Sequence, residues 1–162
     1  MAIEMRGEAS TYISAPPQRV YAIVSDITRM GEWSPECVGV TWADGSDAPT
    51  VGACFHGSNR RNDNEWTTPN TITVADAGRE FAWVVGTPEF QVMRWRFVFE
   101  ANNGGTTVTE SFEHGDEEVG FASAVADAPP ERRGELVAAR RSQLIEDMQV
   151  TLARLKECVE SS

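Results

Sequence analysis

The sequence predicts an α+β fold in which one curved antiparallel β-sheet of about seven strands wraps around a long C-terminal helix. Three observations carry this expectation. First, Trp66, Trp83 and Trp95 fall in separate strand-like runs, and each shares its alternation track with other large apolar residues. Successive strand side chains point to opposite faces, so each track is one face of a sheet. Second, turn residues separate these runs at short intervals, as a β-meander requires. Third, from Glu131 to about Val159 the apolar period becomes helical, with a stripe running through Val137, Leu144, Ile145, Met148, Leu152, Leu155 and Val159. An aromatic sheet face needs a cover, and this helix is the natural one. A sheet that curls around a single helix gives an α+β grip rather than a flat sandwich.

Each element has its own signal. Ile3 to Ile13 alternates, with Ile3, Met5, Ala9 and Ile13 against Glu4, Arg6, Glu8 and Ser10, and reads as the first strand. Ser14-Ala15-Pro16-Pro17 reads as a helix start, with Ser14 as cap and proline in the first turn, where its missing N–H costs nothing. That helix carries Val20, Ile23, Val24 and Ile27 and is expected to end near Arg29, with a short helical turn through Met30 to Trp33. Strands follow over Cys37–Trp42, Ala53–Arg60, Glu65–Val74, Arg79–Val85, Phe90–Ala101 and Thr106–His114. In the third of these, Trp66, Thr68, Ile72 and Val74 share a track, and Pro69 suggests a bulge or bend. Asn102-Asn103-Gly104-Gly105 is a strong hairpin signal. Gly115 to Pro130 reads as a linker or lid.

Composition narrows the function classes. A chain of 162 residues fits one domain spanning 1–162, long enough to bury a core. The formal charge of −11 argues against nucleic acid and anionic membrane as partners. The first residues already carry charge, and no stretch has membrane-spanning length, so the expectation is a cytoplasmic protein without membrane insertion. Three widely spaced cysteines without a C-x-x-C pair suggest free thiols rather than a disulfide framework or zinc site. No histidine pair has metal spacing and no glycine-rich phosphate loop is present, so no metal or cofactor is expected. The sequence is compatible with a monomer or a homodimer.

Three segments resemble a known family. Ser14-Ala-Pro-Pro-Gln-Arg-Val-Tyr-Ala-Ile-Val-Ser-Asp26, followed by Arg29 and Glu32-Trp33-Ser34-Pro35-Glu36, is similar to the opening of the polyketide cyclase/dehydrase branch of the START-like (SRPBCC) superfamily. Gly105-Thr-Thr-Val-Thr-Glu-Ser-Phe112 and Thr151-Leu-Ala-Arg-Leu-Lys156 extend the resemblance over nearly the whole chain. It implies the helix-grip fold (START-like, Bet v1-like), with a hydrophobic cavity between sheet and helix. The superfamily contains lipid carriers, plant ligand-binding allergens and aromatic polyketide cyclases, among which fold does not decide.

Candidate site residues follow from the tracks and this resemblance. If the last strand follows the family, Val108 and Phe112 face the cavity, and Glu110 shares their track. Burial would raise its pKa and suit it to general acid or base work; alternatively it is a carboxylate held by a hydroxyl, backbone N–H or arginine near the strand mouth. His114 shares that parity and is a candidate proton carrier at the cavity mouth, or a hydrogen-bonded surface histidine. His56 falls opposite Phe55 and is expected in solvent. Trp33 either closes one end of the cavity or packs the short helix on the sheet. Phe55, Asn59, Trp66, Trp83, Trp95, Phe97, Phe112, Ile145 and Met148 complete the expected lining. Three functions fit: binding of a small hydrophobic or aromatic, lipid- or polyketide-like ligand; a polyketide cyclase or dehydratase using Glu110; or a non-catalytic interaction domain with a filled cavity.

Overall fold

The computed structural model describes residues 3–117 and 119–162. Seven antiparallel strands form one sheet in the order β1-β7-β6-β5-β4-β3-β2. They are β1 (Arg6–Ile13), β2 (Cys37–Ala43), β3 (Cys54–Arg61), β4 (Asn64–Asp76), β5 (Glu80–Thr87), β6 (Phe90–Asn102) and β7 (Gly105–His114). Between β1 and β2 lie helix α1 (Pro17–Ser25) and a 3₁₀ helix (Ile27–Glu32); α2 (Phe121–Asp127) and α3 (Pro130–Glu160) follow the sheet. The architecture is the α+β grip, with α3 lying along the inner face nearest β1.

The strand register lines up the aromatic tracks. One row across the sheet reads Ile72, Trp83, Trp95, Phe112 and Gly7 on neighbouring strands. The next row reads Ala75, Phe81, Phe97, Glu110 and Ala9. The Trp83 ring stacks on Trp95 at 6.4 Å and on Phe97 at 6.0 Å between centroids, offset contacts that add to simple burial. The β6–β7 turn has Asn103 at φ 47° and Gly104 at φ 83°, the pair of left-handed residues that a type I′ hairpin needs.

Local chemistry moves several expected features. Ser14 does not cap α1: Pro16 occupies the cap position without a side-chain hydrogen bond, and the helix begins at Pro17. The helix ends at Ser25 rather than near Arg29, because Asp26 leaves helical geometry and its carboxylate accepts a hydrogen bond from the Thr28 hydroxyl at 2.6 Å, a local bond that competes with helix continuation. The chain then tightens into the 3₁₀ helix, which buries Ile27 completely. Pro69 sits opposite His56 in unbroken register, and the β4 bulge falls instead between Ile72 and Val74. The extra residue turns Val74 away from the Ile72 face and brings Ala75 opposite Phe81. The stretch read as a linker or lid carries α2, whose last carbonyls accept hydrogen bonds from Arg133, at 2.8 Å from Ala126 O and 3.0 Å from Ala128 O.

The core is in two parts. One cluster joins α1 and the 3₁₀ helix to Phe81, Phe99, Val108, Leu152 and Leu155. The other joins Met5, Phe112, Ala122 and Val125 to Leu144 and Met148. On the inner track of β7, Val108 belongs to the first and Phe112 to the second, and Glu110 stands between them. On α3, Asp147 and Thr151 flank Met148 at the same level, between Leu144 and Leu155. Both layers thus place a polar residue where the apolar packing divides.

Candidate functional site

A cavity of about 400 Å³ occupies that division, within the range of small-molecule sites. Its aromatic wall comes from Trp33, Phe55, Trp83, Trp95 and Phe97, with Met148 and Leu144 supplied by α3. Trp33 is only 3% exposed and serves both ways, packing in the first cluster while forming part of the wall. Trp66 is 36% exposed and forms the outer rim. Val119, Gly120 and Phe121, at the start of α2, line the cavity as well.

Phe112 and Ile145, expected in the lining, stand outside it. Gly7 is the reason. A Cβ on Gly7 would fall 2.9 Å from Ile145 Cγ1 and 3.0 Å from Phe112 Cε1. The missing side chain lets α3 close on β1, and Ile145 and Phe112 fill that contact instead of facing the void.

Glu110 forms part of the wall and is 5% exposed. Its neighbours across the ladder are Phe97 and Ala9, neither of which can pair with a carboxylate. Among the described residues its Oε2 has no hydrogen-bond partner. Burial pushes its pKa well above the usual carboxylate range, and the negative charge of Asp147 pushes the same way. Burial and the Asp147 charge therefore both favour the protonated, neutral form of this carboxyl.

His114 is buried, not at an open mouth, and its Nδ1 lies 2.7 Å from the Gly115 carbonyl oxygen. A carbonyl only accepts, so Nδ1 carries the hydrogen and Nε2 is the ring atom left for other work. His56 is exposed on the outer face. Asn59 bonds back into its own hairpin, with Nδ2 3.3 Å from Gly57 O and 3.4 Å from Thr68 Oγ1. The Cys37 thiol also borders the cavity, but burial raises its pKa and keeps it from thiolate chemistry.

The sequence reading missed a charged cluster at one end of the cavity. Arg61, at the end of β3, bonds Glu36 at 3.0 Å and pairs with Asp147 of α3. Arg140 of α3 holds Glu36 with both guanidinium arms, at 2.9 and 3.1 Å. Burial raises the Asp147 pKa, against the pull of Arg61. Both arginines are thus engaged by carboxylates. The four-residue spacing of Asp147 and Thr151 beside the apolar stripe was the available signal, since residues so spaced share a helix face. Among the described residues, no group of three metal-ligating side chains gathers, and no helix is long and apolar enough to cross a membrane.

This fold and cavity have relatives. The sequence model of the family described as "Polyketide cyclase / dehydrase and lipid transport" matches residues 5–160. The chain belongs to this family. A polyketide-cyclase-like protein of Corynebacterium glutamicum, known from its solution structure, is 34% identical, with a TM-score of 0.69 over 99% of this chain and 94% of that one. A protein of Thermus thermophilus shares the family fold at 16% identity, with a TM-score of 0.73 over 96% of this chain and 97% of its own. The di-domain ARO/CYC protein StfQ of the steffimycin biosynthetic pathway is 12% identical, with a TM-score of 0.76 over 98% of this chain. This chain spans about half of StfQ, 51% of its length, and at that identity the likeness is one of fold. The sequence matches no curated protein. Membership in the family makes the helix-grip the expected setting for a ligand-binding or cyclase role, and the cavity lies where that fold leaves its gap.

Proposed function

We propose that the protein binds a small hydrophobic or aromatic molecule in the cavity between the sheet and α3. The observation that supports this reading is the cavity itself, about 400 Å³ walled by stacked aromatic rings. Native interiors are packed close to crystal density, and a void of this size beside two well-packed clusters is not a packing remainder. It argues against the filled-core alternative. Flat rings on the wall favour a flat ligand, since offset stacking adds to the burial of apolar area. Native mass spectrometry of the purified protein, with a thermal-shift screen of fatty acids, aromatic polyketides and flavonoids, tests this. A retained mass or a raised melting temperature supports the reading, and an empty protein that no compound stabilises overturns it.

A second reading, polyketide cyclisation or dehydration, is favoured by the buried, neutral Glu110. In an aldol-type closure a carbon beside a carbonyl loses a proton and the accepting carbonyl oxygen gains one. A neutral Glu110 suits the donating role. Nε2 of His114 suits the accepting one, because its Nδ1–H is held by Gly115. The two residues are four apart on one strand, about 13 Å between Cα atoms at the usual rise, so their side chains would have to lean toward each other to reach the carbon and the carbonyl being joined in a folded substrate. Folding that substrate against the aromatic wall would supply much of the rate. Glu110→Gln should then abolish turnover and keep binding; unchanged turnover removes Glu110 from the chemistry.

A further inference from the structure

The polar end of the cavity is built in a way that discriminates among apolar ligands. Glu110 lines the cavity, and among the described residues its Oε2 has no partner. Beside it on β6 is Phe97, beside it on β1 is Ala9, and the charge that acts on it from α3 is that of Asp147. The two arginines at this end, Arg61 and Arg140, are already held by Glu36 and Asp147. Of the other polar wall groups, which include Ser34, Thr67, Thr68, His114 and Thr151, none bonds Glu110 Oε2, and Asn59 and Asn70 turn their amide N–H donors to their own hairpin. A carboxyl so enclosed persists as the neutral acid, since burying an unpaired charge costs far more than taking up a proton. A neutral carboxylic acid has one O–H to give. Among the described residues nothing bonds Glu110 Oε2, so a ligand in the cavity can supply the acceptor.

We propose, resting on the ligand-binding reading above, that the cavity selects neutral ligands carrying a hydrogen-bond acceptor such as a ketone, with Glu110 as the donor, and excludes carboxylates. A ketone oxygen placed at Glu110 satisfies the orphaned group and needs no counter-ion. A carboxylate in the same position meets Asp147 and Glu36 and finds both arginines already paired, so it gains a counter-ion there only by breaking an arginine pair. Free fatty acids are thereby disfavoured although their chains would suit the apolar wall.

Three probes of one shape separate these terms: 2-acetonaphthone, 2-ethylnaphthalene and 2-naphthoate, titrated calorimetrically into the protein at pH 7. The expected order of affinity is ketone, then hydrocarbon, then carboxylate. The ketone gains roughly tenfold over the hydrocarbon, as for one satisfied buried hydrogen bond. The carboxylate falls at least about tenfold below the hydrocarbon. Glu110→Gln, whose amide still donates, should keep the preference for the ketone. Glu110→Met, which does not, should level ketone and hydrocarbon. Naphthoate binding as tightly as the ketone, or a ketone preference unchanged in Glu110→Met, overturns the inference and leaves the ligand-binding reading standing. Binding by none of the three, together with an empty ligand screen, overturns both.

Discussion

Glu110 on β7 and Asp147 on α3 lie within electrostatic reach of each other across the polar end of the cavity, one from each layer of the fold. Asp147 has Arg61 as its partner, whereas among the described residues Glu110 Oε2 has none. Burial and the Asp147 charge therefore favour the proton on Glu110, while Arg61 favours the charge on Asp147. This division of labour resembles that of other paired carboxyls whose surroundings push their pKa values apart.

The first consequence concerns stability against pH. Burial raises the Glu110 pKa in the folded protein, while in the unfolded chain it ionises near its ordinary value of about 4.3. Above that pH the unfolded state has released a proton that the folded state retains. The Glu110 contribution is therefore greatest below the unfolded pKa and declines as pH rises toward the folded one, by at most about 1.4 kcal/mol per pH unit. Glu110→Gln removes this dependence. Urea denaturation of both proteins from pH 4 to pH 8 should show the variant gaining steadily on the parent as pH rises. Parallel curves would mean that Glu110 ionises alike in both states.

A second consequence isolates the coupling. Asp147→Asn removes the negative charge that helps to keep Glu110 protonated, so the Glu110 titration midpoint should fall. The side-chain carboxyl carbon of Glu110, followed by ¹³C NMR across the pH range, reports this directly. The midpoint should remain above the ordinary range, because burial is the larger cause. An unchanged midpoint would show that the two carboxyls do not sense each other.

A third separates packing from binding. Ile145 and Phe112 fill the contact made possible by Gly7 and lie outside the cavity. Ile145→Ala should cost about 1–3 kcal/mol of stability while leaving ligand affinity within about twofold of the parent, since Ile145 is not part of the cavity wall. Gly7→Ala should also destabilise the protein, by about 1–3 kcal/mol from overpacking, and should cost less in the Ile145→Ala background, where two of the three obstructing atoms are gone and Phe112 alone remains. Chemical denaturation of the four proteins checks the coupling; additive losses would contradict the contact.

These contrasts show where the sequence was legible. The strand tracks through Trp83, Trp95 and Phe97 were readable because strand alternation has a fixed period and the hairpins carried strong turn residues. Glu110 was visible as a carboxylate on an apolar track. Val74 was misassigned because a bulge adds a residue without a composition signal, and only the pairing of Val74 with Ala82 reveals it. Ile145 was misassigned because a helical stripe gives the covered face but not which turn touches the sheet; a glycine on another strand decided that. Asp147, Arg61, Glu36 and Arg140 escaped notice because they are brought together from three distant segments, and each reads locally as solvated surface.

The central claim is that an aromatic cavity lies between the two core clusters and accepts a flat ligand. The five tryptophans provide a direct measurement of it. Trp33, Trp66, Trp83 and Trp95 border the cavity, whereas Trp42 packs at the margin of the first core cluster and does not. Each indole N–H gives its own ¹H–¹⁵N NMR signal. Titration with 2-acetonaphthone should shift the Trp83 and Trp95 signals most, with smaller shifts at Trp33 and Trp66 and none at Trp42. Saturable shifts confined to Trp42, or no shift at any indole at probe concentrations that saturate ordinary micromolar sites, would contradict it.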